Sequence, residues 1–152
     1  MQRVSINKVS PASYKAMDGL EDFVSASKLK PSYKELIKIR ASQINGCAYC
    51  IDMHTKDARA LGEPESKIYA ISAWRESPLF NEEERAILAF TDEITNISNH
   101  GVSDEVYQNL AKFFDDESIA EIIMINVTIN SWNRICVSIH LRHNNSFDLS
   151  AN

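Results

Sequence analysis

Apolar residues recur along most of this chain at spacings of three and four, the pattern of helices that bury one face. Proline and glycine divide the pattern into segments, because proline suits the first turn of a helix and glycine the position just past its end. Ser10-Pro11 predicts the start of a first helix whose Ala16, Met17, Leu20, Phe23 and Val24 share a face. Pro31 opens a second, carrying Tyr33, Leu36, Ile37, Ala41 and Ile44 and stopping near Asn45-Gly46. A third runs from about Cys47 to Leu61, and a shorter fourth from Pro64 through Ile68, Ile71 and Trp74 to a break at Ser77-Pro78. Asn81 followed by Glu82, Glu83 and Glu84 predicts a capped fifth helix to about Ser98, since side-chain oxygen and negative charge complement the free amides of a first turn. Ser103 caps a sixth with Val106, Tyr107, Leu110, Phe113 and Phe114, and Asp115 to Glu117 cap a seventh that runs to about Leu141. The stretch Ile122 to Ile129 is rich in β-branched residues, which favour strands. Ile119, Ile122, Ile123, Asn126, Val127 and Asn130 nevertheless keep the helical rhythm, and no partner strand is evident, so helix is predicted. The expectation is an all-α, single-domain bundle of about six to seven helices over residues 1–152, with a frayed tail after Arg142.

Composition narrows the function classes. With 152 residues, 44% of them hydrophobic, the chain can bury one core. A net charge of −5 without any Lys/Arg cluster argues against nucleic acid as a partner. The longest apolar run is Ala86 to Phe90, far short of the roughly 20 residues that cross a bilayer. No membrane partner is expected, and with no leader-like apolar segment at its start the chain is predicted to be cytoplasmic. Its four glycines are scattered, which excludes the clustered-glycine loops that cradle nucleotide phosphates.

The candidate chemistry lies in the third helix. Cys47, Cys50 and His54 fall on the same stripe as Ile51, Ala58 and Leu61, so both thiols and the imidazole share the buried face. Cys50 and His54 are one turn apart, and Cys47 and Cys50 can close a disulfide if the first turn permits it. A helix N-terminus stabilises a thiolate, and a neighbouring histidine can take the proton. Such a thiolate attacks a peroxide oxygen or a disulfide sulfur, and a second cysteine resolves the sulfenic acid. A structural zinc site is the competing reading, with Cys136 or Glu35 as a fourth ligand, but C-x2-C-x3-H on one helix is not a usual finger spacing. Cys136, flanked by Ile135 and Val137, reads as a small core residue. His140 and His143 could touch one metal, although a helix C-terminus explains them as well, and His100 beside Gly101 reads the same way. The acidic triplets read as first-turn charge, and Trp74, Trp132, Phe113 and Phe114 as core or subunit contacts.

Glu35, eleven residues, Cys47, Ala48-Tyr49, Cys50, three residues and His54 together resemble the alkylhydroperoxidase D core motif, E-x11-C-x2-C-x3-H, of the carboxymuconolactone decarboxylase-like superfamily. The text QINGCAYCIDMHTKDARALGE around it is similar to that family too, although better-known members can carry histidine where Tyr49 stands. The resemblance implies an alkylhydroperoxidase D-like fold, assembly into homo-trimers or homo-hexamers, and reduction of a hydroperoxide by a dithiol/disulfide cycle that an external dithiol regenerates. It implies no cofactor and no metal. By the same resemblance Cys50 is the peroxidatic cysteine, Cys47 the resolving one, and Glu35 and His54 the proton relay. Two alternatives remain: a decarboxylase-like small-molecule enzyme of the same superfamily, whose decarboxylases lack the paired cysteines, and a non-enzymatic redox- or zinc-sensing oligomer. Helix phase alone turns Glu35 away from the Ile37/Ala41 stripe and toward solvent; only the resemblance puts it beside the cysteines.

Overall fold

The structure, a computed structural model, describes residues 3–142, and the described residues contain helices and no strand. In chain order the helices are α1 (Ile6–Val9), α2 (Pro11–Ala26), α3 (Pro31–Asn45), α4 (Ala48–Ala60), α5 (Glu65–Ala70), α6 (Glu82–Thr95), α7 (Ile97–His100), α8 (Asp104–Leu110) and α9 (Asp116–Ser138), with a 3-10 turn at Ile71–Ala73. The expected segments are all present, and the β-branched stretch at 122–129 lies inside α9 as one continuous helix. Two single-turn helices, α1 and α7, add to the seven read from the pattern. The fifth and sixth expected helices are shorter: α6 stops at Thr95, and Phe113 and Phe114 lie beyond the end of α8. His143 and the rest of the tail fall outside the described residues, while His140 is exposed and past the end of α9.

The caps do what their residue types allow. Asn81 and Glu84 form a reciprocal capping box at α6, Ser103 accepts from the Val106 amide at α8, and Asp115 accepts from the Ser118 amide at α9. Glu84 also pairs with Lys67, so the acidic triplet is structural.

α3 is the middle of the bundle, packed against α4, α6 and α9. Its Leu36, Ile37, Ile39 and Ala41 are buried, and so are Tyr33, Glu35 and Ser42, which point to other sides of the same helix. The helix is covered almost all round, and the phase-based expectation of a solvent-facing Glu35 fails for that reason. α2 differs in the opposite sense. Of its expected face only Met17 and Val24 are buried, and Phe23 is 44% exposed. Between α3, α6 and α9 runs a seam of polar side chains. Asn45 Nδ2 donates to Asn130 Oδ1 at 3.0 Å and to Asn133 Oδ1 at 2.9 Å, Asn133 Nδ2 donates to Ser42 Oγ at 3.0 Å, and Asn130 Nδ2 donates to Thr95 Oγ1 at 3.2 Å.

The join between α3 and α4 places the cysteines. Gly46 adopts the left-handed conformation, φ 67°. Its amide bonds to the Gln43 carbonyl at 3.3 Å and the Cys47 amide to the Ser42 carbonyl at 3.0 Å, the paired bonds of a Schellman ending. Cys47 then serves at once as the N-cap of α4. Nothing lies within 4 Å of where a Cβ on Gly46 would sit, so a side chain there meets only the backbone penalty of a left-handed residue. Gly46→Ala is expected to cost about 1 kcal/mol in urea denaturation, with an unchanged slope.

Candidate active site

Four side chains from the corner of α3 and α4 meet. Cys47 and Cys50 form a disulfide with Cα atoms 5.3 Å apart, and the Cys47 sulfur accepts a hydrogen bond from the Cys50 amide at 3.3 Å. One turn later on α4, His54 Nδ1 lies 2.9 Å from Glu35 Oε2 of α3. Glu35 Oε1 accepts from Lys38 Nζ at 2.9 Å, and Asp57 Oδ2 lies 3.7 Å from His54 Nδ1. Cys47, Cys50, Glu35 and His54 are 2%, 1%, 7% and 7% exposed, so the whole set is withdrawn from bulk water.

Burial pushes the Glu35 carboxyl up, but the hydrogen bond from His54 and the Lys38 ammonium outweigh it, and its pKa ends below the ordinary carboxylate value. Glu35 is therefore an ionised acceptor near neutral pH. It accepts the proton of His54 Nδ1, so Nε2 is the ring nitrogen that Glu35 does not engage.

Cys50 and His54 line a cavity of about 360 Å³ between α2, α4 and α9. Tyr14, Tyr49 and Trp132 make its aromatic walls, with Met53 and Ile129 beside them. Tyr14 meets Trp132 edge to face at 5.5 Å, and Trp132 Nε1 donates to Glu21 Oε1 at 2.7 Å. Trp132 is thus a cavity wall, whereas Trp74 lies in the core with its Nε1 on Asp92 at 3.2 Å. Cys136 is buried as expected, yet its sulfur, with those of Cys47 and Cys50, belongs to one cluster within 4.8 Å. Nothing in the spacing of residue 136 signals this, because α9 brings it there by packing. Among the described residues the possible metal-ligating atoms fall into two sets, the three cysteines and Glu35 with His54 and Asp57. The zinc reading needed Cys47, Cys50, His54 and a fourth ligand in one set, and these residues are not gathered so.

The fold and site define an all-α protein with a buried dithiol/disulfide pair backed by a carboxylate–imidazole couple. Residues 11–93 match the Carboxymuconolactone decarboxylase family, and the chain belongs to that family as one of its alkylhydroperoxidase D-like proteins. It is 43% identical over 137 residues to YdfG, an uncharacterised protein of Bacillus subtilis strain 168, covering 90% of this chain and 93% of YdfG. A crystallised protein of unknown function from Agrobacterium tumefaciens, suggested to be the antioxidant defence protein AhpD, matches with a TM-score of 0.93 at 42% identity, covering 95% of this chain and 99% of that one. The debrominase Bmp8 matches with a TM-score of 0.80 at 25% identity, covering 91% and 74% of the two chains. The family match holds α2 through most of α6, and so the whole motif, while α9 with Trp132 and Cys136 lies outside it.

The sign of the Glu35 shift makes a test. A carboxyl whose folded pKa is depressed adds stability above its unfolded value, about 4.3, and that stability is lost as pH falls through the lower folded value. Glu35→Gln is expected to lower unfolding stability near pH 7 by about 2 kcal/mol, the scale of a hydrogen bond to a charged group. The gap between wild type and variant should close as pH is lowered below 4.3. Chemical denaturation across pH 3 to 7 checks both size and direction.

Proposed function

We propose that this chain is a thiol-dependent hydroperoxide reductase. The observation that carries the reading is the Glu35–His54 bond at 2.9 Å one helical turn from Cys50, with Cys50 and His54 opening on one cavity. In the reduced enzyme His54 Nε2 takes the Cys50 proton, and the first turn of α4 favours the resulting thiolate. The thiolate attacks the terminal oxygen of R–O–OH and the O–O bond breaks. Cys50 becomes a sulfenic acid, and the departing alkoxide leaves as ROH with the proton held by His54. The Cys47 thiol then displaces the sulfenic oxygen, forming the Cys47–Cys50 disulfide and one water. An external dithiol reduces that disulfide by exchange and is itself oxidised to a disulfide. Glu35 holds the imidazole in the tautomer the first step uses. The aromatic walls favour an organic hydroperoxide with an apolar R group.

The cycle needs no metal or organic cofactor. It suits the cytoplasm, where dithiol reductants are available. The expected assembly is a homo-trimer or homo-hexamer, and the partly uncovered face of α2 is consistent with self-association. Among the described residues no helix is long and apolar enough to cross a membrane.

A second reading draws on the same aromatic cavity and on the likeness to a debrominase. There a halogenated aromatic ring takes the place of the peroxide, and the dithiol gives up two electrons and two protons to yield the dehalogenated ring, hydrogen halide and the disulfide. The two readings share Cys50 and differ in the oxidant.

Replacing Cys50 by serine is expected to bring dithiol-supported turnover of tert-butyl hydroperoxide down to the uncatalysed background. Turnover of small acids that survives loss of both Cys47 and Cys50 would instead move the reading to decarboxylation. His54→Ala should slow peroxide-driven thiol loss near pH 7. The rate should then recover as pH rises and hydroxide takes the thiol proton without the imidazole. A flat pH profile in His54→Ala would remove the imidazole from the proton transfer.

A further inference from the structure

The third cysteine sits where the first two react. Cys136, in the last two turns of α9, is 5% exposed and is the free cysteine of the described residues. Its sulfur lies within 4.8 Å of both disulfide sulfurs. Cys136 and Cys50 also line one cavity, whereas Cys47 does not reach it. Ile129, Trp132 and Cys136, spaced by three and four residues, put the thiol on the face of α9 that walls this cavity.

We propose that Cys136 is a second resolving thiol for Cys50, so that the oxidised site holds its bond as Cys50–Cys136 as well as Cys47–Cys50. The inference rests on the hydroperoxide reading for its oxidant. Two balanced steps reach the same bond. In one, the Cys136 thiol displaces the oxygen of the Cys50 sulfenic acid and water leaves. In the other, the Cys136 sulfur attacks the Cys50 sulfur of the existing disulfide, and its proton passes to the departing Cys47 sulfur, which leaves as a thiol. Burial pushes the Cys136 thiol pKa above its ordinary value. It therefore stays protonated and does not compete with Cys50 for the peroxide, the division of labour a resolving thiol requires. The Cys47–Cys50 bond is 2% and 1% exposed at its two residues. A Cys50–Cys136 bond would join two residues that both face the cavity and would so present the oxidised sulfurs to a reductant entering there.

The test uses Cys47→Ser, which leaves an oxygen at the N-cap of α4, where serine is a favoured cap, and far-UV circular dichroism verifies the fold. The variant and Cys47→Ser/Cys136→Ala are treated with tert-butyl hydroperoxide in the presence of dimedone and digested with trypsin without reduction. Cleavage after Arg40, Lys56, Arg134 and Arg142 places Cys50 in residues 41–56 and Cys136 in residues 135–142. The expected result is those two peptides joined in Cys47→Ser. Dimedone-labelled Cys50 should be about tenfold more abundant in the double variant, where the sulfenic acid has no partner. Equal labelling of Cys50 in both variants, with Cys136 still a free thiol, overturns the inference and leaves the hydroperoxide reading standing. A parallel arm replaces peroxide by diamide, which couples thiols without a sulfenic acid. Joined peptides with diamide but untouched thiols with peroxide would support the pairing and sink the hydroperoxide reading. No joining under either oxidant would overturn the pairing itself.

Discussion

A carboxylate held at 7% exposure in the middle helix of an apolar bundle has to be satisfied, and much of the site follows from how this is done for Glu35. Its two oxygens are divided between Lys38 on its own helix and His54 on the next, so one acidic side chain ties α3 to α4. The tie fixes the rotation of α4 about its axis, and with it the direction of Cys50 one turn earlier. The same bond occupies Nδ1 of the imidazole and leaves Nε2 outside the pair. A single buried charge thus sets both the placement of Cys50 and the pairing of His54. The Schellman corner at Gly46 and Cys47 leaves the two helices too little connecting chain to satisfy the carboxylate in another way.

The helices were legible because their stops are local. Proline at the first turn of α2 and α3, glycine after α3, and Asn81, Ser103 and Asp115 as caps each act within four residues. α1 and α7 were not, since a single turn carries too little periodicity to register. The cysteines and His54 were readable from helix phase because α4 buries one stripe. Glu35 was not, because α3 is covered on several sides and phase assumes one buried face. Only the family motif placed it. Cys136 reads as a core residue and is buried, and Trp132 reads as a core or subunit contact and is a half-buried cavity wall, but their approach to Cys50 depends on contacts across more than eighty residues of chain. Spacing rules carry no information at that separation.

The motif residues and the walls of the cavity come only partly from the same stretch of the chain. The motif on α3 and α4 lies within the region matched to the family, and the cavity in front of it is walled both from that region, by Tyr14 of α2, and from beyond it, by Trp132 and Cys136 of α9. Tyr49 belongs to both, since it stands between the two cysteines and also faces the cavity.

The asparagine seam gives the cavity two walls of unequal stiffness. Asn130 and Asn133 interlock with Asn45, Ser42 and Thr95. Sliding α9 by a turn or rolling it about its axis would break several of these bonds inside the bundle and strand their donors. On the opposite side α2 buries only Met17 and Val24 and is held at the cavity by the Tyr14–Trp132 contact and the Glu21 bond to Trp132. Displacing α2 therefore breaks fewer buried contacts than displacing α9. The width of the cavity, set by α2, is thus its less firmly fixed dimension, and the position of α9 against the Cys50 sulfur the more firmly fixed one.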